Sequence, residues 1–148
     1  MILIETETVD AIITRLRSML PDKMANSVLH YLDKPAELTR DVLEEIHPSG
    51  LYLVQYVESP ETEGDETLLF GVYTVAIGLE QSNKLGRAVK LIVNGLAPLG
   101  GHKLKLHTDK PENQEEDVMM RCVSFRLQNP TVPLSDAKIA EKLTELDL

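Results

Sequence analysis

The chain has 148 residues, a mass of 16.5 kDa and a formal net charge of −9, with 43% hydrophobic and 26% charged residues. That is enough for one domain with a core of its own, without disulfides or metals as staples, and the composition is globular rather than disordered. With 15 Lys and Arg against 24 Asp and Glu and a pI near 4.9, it lacks the basic footprint needed to grip nucleic acid or an anionic membrane. Such a surface is still compatible with DNA passing by without adhering.

Two Phe, four Tyr and no Trp make the expected core aliphatic. Cys122 stands alone in an apolar run, which is the pattern of a buried structural thiol. The opening Met1-Ile2-Leu3-Ile4 is too short for a signal-peptide core and runs into Glu5 and Glu7. No apolar stretch approaches the ~20 residues that span a bilayer. The expectation is a protein made and folded in the cytosol.

From Thr8, the apolar residues Val9, Ile12, Ile13, Leu16 and Leu20 recur at helical spacing, so a first helix is expected over residues 7–20, stopped by Pro21. Val28 to Leu32 reads as a short strand. Residues 36–46 read as a short helix with Leu38, Val42, Leu43 and Ile46 on one side, followed by His47-Pro48-Ser49-Gly50 turn chemistry. Strands are expected over 51–57 and 67–79. On the second, Leu69, Tyr73, Val75, Ile77 and Leu79 share one face, and small residues such as Thr74, Ala76 and Gly78 share the other. The connection between them, residues 58–66, holds five carboxylates and no base.

Ser82 or Asn83 is the expected cap of a second long helix with a Leu85, Ala88, Val89, Ile92, Leu96 stripe, ended by Pro98 and a Gly100-Gly101 cap. Lys103 to His107 alternates, and its lysines suit a strand at a sheet edge. A second acidic loop is expected over 109–117, then a long strand over 118–128, and finally a short helix capped by Ser135 with Ile139, Leu143 and Leu146 on one side. The predicted fold class is α/β (α+β): one mixed sheet of four or five strands with two main helices on one face, plus short helices. Residues 67–108 have the form of a strand–helix–strand crossover between parallel strands.

No catalytic, metal-binding or cofactor-binding constellation can be read. The four histidines lack ligand spacing, the acidic loops lack the register of a calcium loop, and neither glycine-rich phosphate motif occurs. No nucleophile–base–orienter pattern is present, so the chain is not expected to be an enzyme. The strands at 51–57, 67–79 and 118–128 are apolar on parts of both faces, which calls for cover on both sides of the sheet. Short helices or a neighbouring subunit would have to supply the second cover.

Three segments carry a resemblance: Gly50-Leu51-Tyr52-Leu53-Val54-Gln55-Tyr56, then Val72 to Ile77 leading into Leu85 to Leu96, and Met119 to Leu127 before a proline-containing exit. In order and spacing they resemble the tail-terminator proteins of tailed bacteriophages, especially those of Mu-like contractile-tailed phages and prophages. The resemblance runs from the first helix to about Pro133, which divides the chain into a terminator-like α/β domain, residues 1–134, and a C-terminal helix, residues 135–148. That helix has no counterpart in the resemblance.

The resemblance implies a virion protein of the tail, assembled in the host bacterial cytoplasm. Its copies would form a ring, typically a hexamer, that caps the tail tube, stops its polymerisation and offers a head-joining surface. The implied partners are other copies of the chain, the tail tube protein, and sheath and head-completion proteins. DNA would pass through the lumen without specific binding, and no membrane is involved. In such a ring the residues assigned to lumen or tube contact are Glu61, Glu63, Asp65 and Glu66 in the first acidic segment, and Glu112, Glu115, Glu116 and Asp117 in the second. The alternatives are another head–tail connector or baseplate component, or a small-molecule-binding α/β regulatory module.

Overall fold

A computed structural model describes residues 3–58, 67–128 and 136–147. Helix α1 covers Leu3–Met19, four residues ahead of the expected start. Ile4 packs against the core and anchors a turn that the periodicity beginning at Thr8 does not include. A four-residue helix α2, Asp22–Ala25, leads into strand β1, Val28–His30. A single 3-10 turn at Tyr31–Asp33 then cuts the expected five-residue strand to three. Arg17 of α1 holds β1 in place by donating from Nε and Nη2 to the Val28 carbonyl, at 3.2 and 2.6 Å.

Helix α3, Arg40–Ile46, starts four residues later than expected, because Thr39 is the cap and its Oγ1 accepts from the Val42 amide at 3.3 Å. Strand β2 is Leu51–Glu58 and strand β3 is Thr67–Ile77. Helix α4 covers Leu79–Val93. Its N-cap is Gly78, not Ser82 or Asn83, and Ser82 instead lies buried in the first turn with its amide bonded to the Gly78 carbonyl. Asn94 closes the helix, so Gly100 and Gly101 are turn residues and not its cap. Strand β4 is Lys105–Glu115, strand β5 is Val118–Gln128, and helix α5 is Asp136–Glu145.

The five strands form one sheet in the order β1-β2-β3-β5-β4. Strand β1 runs parallel to β2 and every other neighbour is antiparallel, so the fold is α+β with a mixed sheet, as expected. Strands β3 and β4 are parallel to each other, as the crossover reading requires, but β5 lies between them. The lysine-bearing strand is indeed an edge strand. It is also far longer than expected, because the segment read as an acidic loop is strand through Glu115 and only the turn at Glu116 and Asp117 remains. Pro111 fits within it because an edge strand leaves one row of amides unpaired.

Helices α1 and α4 pack together on one sheet face. Val9, Ile12, Ile13 and Leu16 meet Leu85, Val89 and Val93 above Tyr52, Val54, Phe70, Val72, Val123, Phe125 and Leu127. Each fully buried aliphatic or Phe side chain contributes about 1.5–3 kcal/mol relative to exposure, so this layer dominates the stability. The expected division of β3 is half right. Thr74 and Ala76 do face the helices, but so do Leu68, Phe70 and Val72 further back along the strand. A smaller cluster of Leu43, Leu51, Leu53, Val75 and Val118 lies on the other face, beneath α3.

The turn before β2 needs glycine. Gly50 has φ +108°, and a Cβ there would stand 2.4 Å from Leu85 Cδ1. Among the described residues no helix is long and apolar enough to cross a membrane.

Candidate functional site

The helix-covered face of the sheet brings three charged groups together. Asp109 on β4 lies opposite Val123, one diagonal step from Arg121 on β5. Arg121 Nη1 donates to Asp109 Oδ1 at 2.8 Å, and Lys90 of α4 pairs with the other carboxylate oxygen. The side chains of Asp109 and Arg121 are only 18% and 20% exposed. Burial by itself would raise the Asp109 pKa, but the bonds from Lys90 and Arg121 outweigh it and hold the carboxyl below its ordinary range. Gly86 leaves room for this arrangement, since a Cβ there would lie 3.2 Å from Arg121 Cδ. The cluster ties α4 to the sheet edge. Its spacing in sequence, residues 90, 109 and 121, carries no signal that joins the three.

Asp117 meets Arg40 of α3, which also holds Glu44 at 2.8 Å. The hairpin tip is therefore clamped to the short helix. Glu112 and Glu115 are exposed on the edge strand, and Glu116 takes the left-handed turn position at φ +56°. Of the eight acidic residues assigned to lumen or tube contact, Glu61, Glu63, Asp65 and Glu66 lie outside the described residues. The other four occupy the outer part of the β4–β5 hairpin, with Asp117 already committed to Arg40.

Elsewhere, His47 is buried and its Nδ1 lies 2.8 Å from Ser27 Oγ, and desolvation pushes its pKa down. His30 lies 3.1 Å from Asp10. Among the described residues no group of three or more His, Cys, Asp or Glu is placed to hold a metal ion. Cys122 is buried, and burial pushes its thiol pKa up. The layers are those of a five-stranded sheet with α1 and α4 on one face and the short α3 on the other. The fold has a known counterpart.

A chain in a solved structure described as "Virion of native gene transfer agent (GTA) particle" is similar over 80% of this chain and 91% of its own length, with a TM-score of 0.52 and 15% sequence identity. At that identity the likeness is one of fold. The sequence matches no protein-family model. It also matches no curated protein.

Two surface features stand out against this fold, and only the second, the stripe of the C-terminal helix, was legible in the sequence. The first is a cleft of about 480 Å³ where the end of α1 (Leu20, Pro21), α2 (Lys23, Met24), the turn before β2 (Pro48, Ser49) and α4 (Gln81, Lys84, Leu85, Ala88) meet over Tyr52. Gln81 Nε2 donates to the Ser49 carbonyl at 2.8 Å and closes one wall. The Tyr52 hydroxyl is buried with no hydrogen-bond partner among the described residues, and burial pushes its pKa up to about 12. The second is the apolar side of α5 and the turn after it, where Ile139 and Leu143 on the helix and Leu146 just beyond it remain 44%, 43% and 39% exposed. Leu91 on α4 and Leu32 beside β1 are more exposed still, at 84% and 94%.

Proposed function

We propose that this chain is a structural protein of a phage-like particle and, within that class, the tail terminator: a ring, typically of six copies, that caps the tail tube and stops its growth. The observation that carries the reading is the fold shared with a chain of the gene transfer agent virion over most of both chains. The order of the segments at 50–56, 72–96 and 119–127 supports the terminator role in particular.

The physical requirements are compatible with this chain. A head-to-tail interface that closes on rotation makes a ring, while one that does not close makes a filament. Apolar residues left on the outside of α3, α4 and α5 are material for such contacts. A net charge of −9 disfavours adhesion of DNA moving through a lumen. The proposed lumen or tube contacts are the acidic residues at 61–66 and at Glu112, Glu115 and Glu116. Asp117 serves the hairpin clamp as well.

Negative-stain electron microscopy of the purified chain tests the ring directly. Closed rings are expected, and compact single particles at high concentration would refute it. Deleting the gene separates a terminator from a head–tail connector or baseplate component of the same class of particle. Tails of uncontrolled length are expected for a terminator, and tails of normal length would favour the other parts. Neutralising Glu112, Glu115 and Glu116 together is expected to alter tail length or DNA ejection, and unchanged particles would remove the lumen assignment.

A further inference from the structure

We propose that copies of this chain meet head to tail, the basic α4–β4 surface of one against the acidic surface around Leu32 and α3 of the next. This deepens the ring reading and rests on it only for the requirement that copies meet.

Charge is segregated along the chain. Residues 81–111 hold six Lys and Arg against Asp109 alone, a net charge of +5, so the other 117 residues carry −14. Lys84 pairs with Glu80 and Lys90 with Asp109. Arg87, Lys103 and Lys105 are exposed and join no ion pair among the described residues. The fold gathers them on one side. The Leu104 amide donates to the Leu96 carbonyl at 2.7 Å, which lays Lys103 and Lys105 beside the end of α4. Asn94 Oδ1 accepts from the Leu106 amide at 2.9 Å, and Leu91 lies one turn before Asn94. Leu91 is 84% exposed and Leu106 38%, so apolar surface lies among the three cations.

The opposite sign occupies the opposite edge and face. Tyr31 and Leu38 pack against the small cluster beneath α3, which fixes their segment on that face, next to edge strand β1. There Leu32 is 94% exposed, and Asp33, Glu37 and Glu45 are exposed carboxylates with no ion pair among the described residues. Lys34, the cation beside them, is turned to the Tyr31 ring and hydroxyl. Leu32 and Leu91 are the two most exposed large hydrophobic side chains among the described residues, and each sits within one of the two charged surfaces. An apolar centre with a charged rim is the anatomy of a protein–protein contact.

The placement selects a second copy as the partner. Strands β1 and β4 are opposite edges of the sheet, four strand spacings or about 19 Å apart. The two surfaces also lie on opposite faces, so they point away from each other and cannot meet within one chain. Setting like against like would oppose cations to cations or carboxylates to carboxylates, which is costly. Basic against acidic is the complementary pairing. It is also a heterologous contact, the kind that forms a ring when its rotation closes.

Two full-length charge-reversed variants test this. The first carries Arg87→Glu, Lys103→Glu and Lys105→Glu, and the second carries Asp33→Lys, Glu37→Lys and Glu45→Lys. In sedimentation velocity at low salt, each alone is expected to associate at least about tenfold more weakly than the unsubstituted protein. An equimolar mixture is expected to recover association, because reversed surface meets reversed surface and native meets native. Variants that associate as the unsubstituted protein does, or a mixture no better than either variant alone, would overturn the proposal. So would association of the unsubstituted protein that is equal at roughly 0.05 and 0.5 M salt, since exposed charges are screened over that range. Retention of the unsubstituted protein on a double-stranded DNA fragment, lost in the first variant and without self-association, would overturn it in favour of a nucleic-acid surface. Rings formed by each variant alone would overturn the docking and leave the ring reading standing. Recovery in the mixture without rings would uphold the docking and remove the ring.

Discussion

Replacing Asp109 by Asn tests whether the carboxylate between Lys90 and Arg121 is the link between helix α4 and the edge of the sheet. The substitution keeps the shape and one acceptor but removes the charge that two cations share. Hydrogen bonds to charged groups contribute about 1.5–3 kcal/mol each when well formed. Here Asp109 and Arg121 are about one-fifth exposed and Lys90 is 35% exposed, so solvent screening brings the combined loss to about 2 kcal/mol. With a urea slope of about 2 kcal/mol/M for a domain of this size, the unfolding midpoint should fall by roughly 1 M at pH 7.

The pH dependence gives a second check with a definite sign. Asp109 has a lowered pKa in the folded state, so its contribution is fully present above the unfolded value of about 3.9 and is lost as pH falls through the folded value. The wild-type and Asp109→Asn midpoints should therefore converge in acid, below pH ~4. Equal midpoints at pH 7, or a gap that persists unchanged in acid, would refute the electrostatic account of this contact.

Gly50→Ala places a Cβ 2.4 Å from Leu85 Cδ1 at φ +108°. Strain and overpacking together should destabilise by about 2–4 kcal/mol, a drop of roughly 5–15 °C in melting temperature by calorimetry; a drop below ~2 °C would show that the turn relaxes freely. His47 is held neutral by desolvation, so its contribution is present above about pH 6.5 and is lost as pH falls towards the folded value. Urea midpoints should fall between pH 7.5 and 5.5 in the wild type and fall less in His47→Gln, and equal falls would contradict the assignment.

Alternation and helical spacing are local properties, and they place elements better than they place their ends: the strand expected over 28–32 stops at His30, and the alternation that begins at Lys103 is strand only from Lys105. Val9, Ile12, Ile13 and Leu16 identify α1 by their spacing, Val118 to Gln128 is a strand over its full expected length, and the lysines of β4 do lie on an edge. Caps were less legible. Gly78 ends up capping α4 in place of Ser82 because the hydrogen bond from its amide to the Asp117 carbonyl on the far hairpin sets where the strand gives way to the helix. The run from Asp109 to Glu115 reads as loop because charged residues and a proline are poor strand formers. It becomes a strand because β5 offers a ladder and the outer edge tolerates Pro111.

What the sequence by itself determined is the class of the molecule: an acidic, aliphatic, mixed-sheet domain with two long amphipathic helices and a short apolar-striped helix at its end. Only the tertiary structure decided which charges meet, where β5 inserts and what the cleft is made of. Asp109, Lys90 and Arg121 are brought together by strand order and helix placement, and Leu20 and Leu85 by the packing of α1 on α4, with Pro48 added by the turn before β2. The physical reason is the range of the information. Periodicity records which way a residue faces, whereas a contact between elements depends on register and on the order of strands in the sheet.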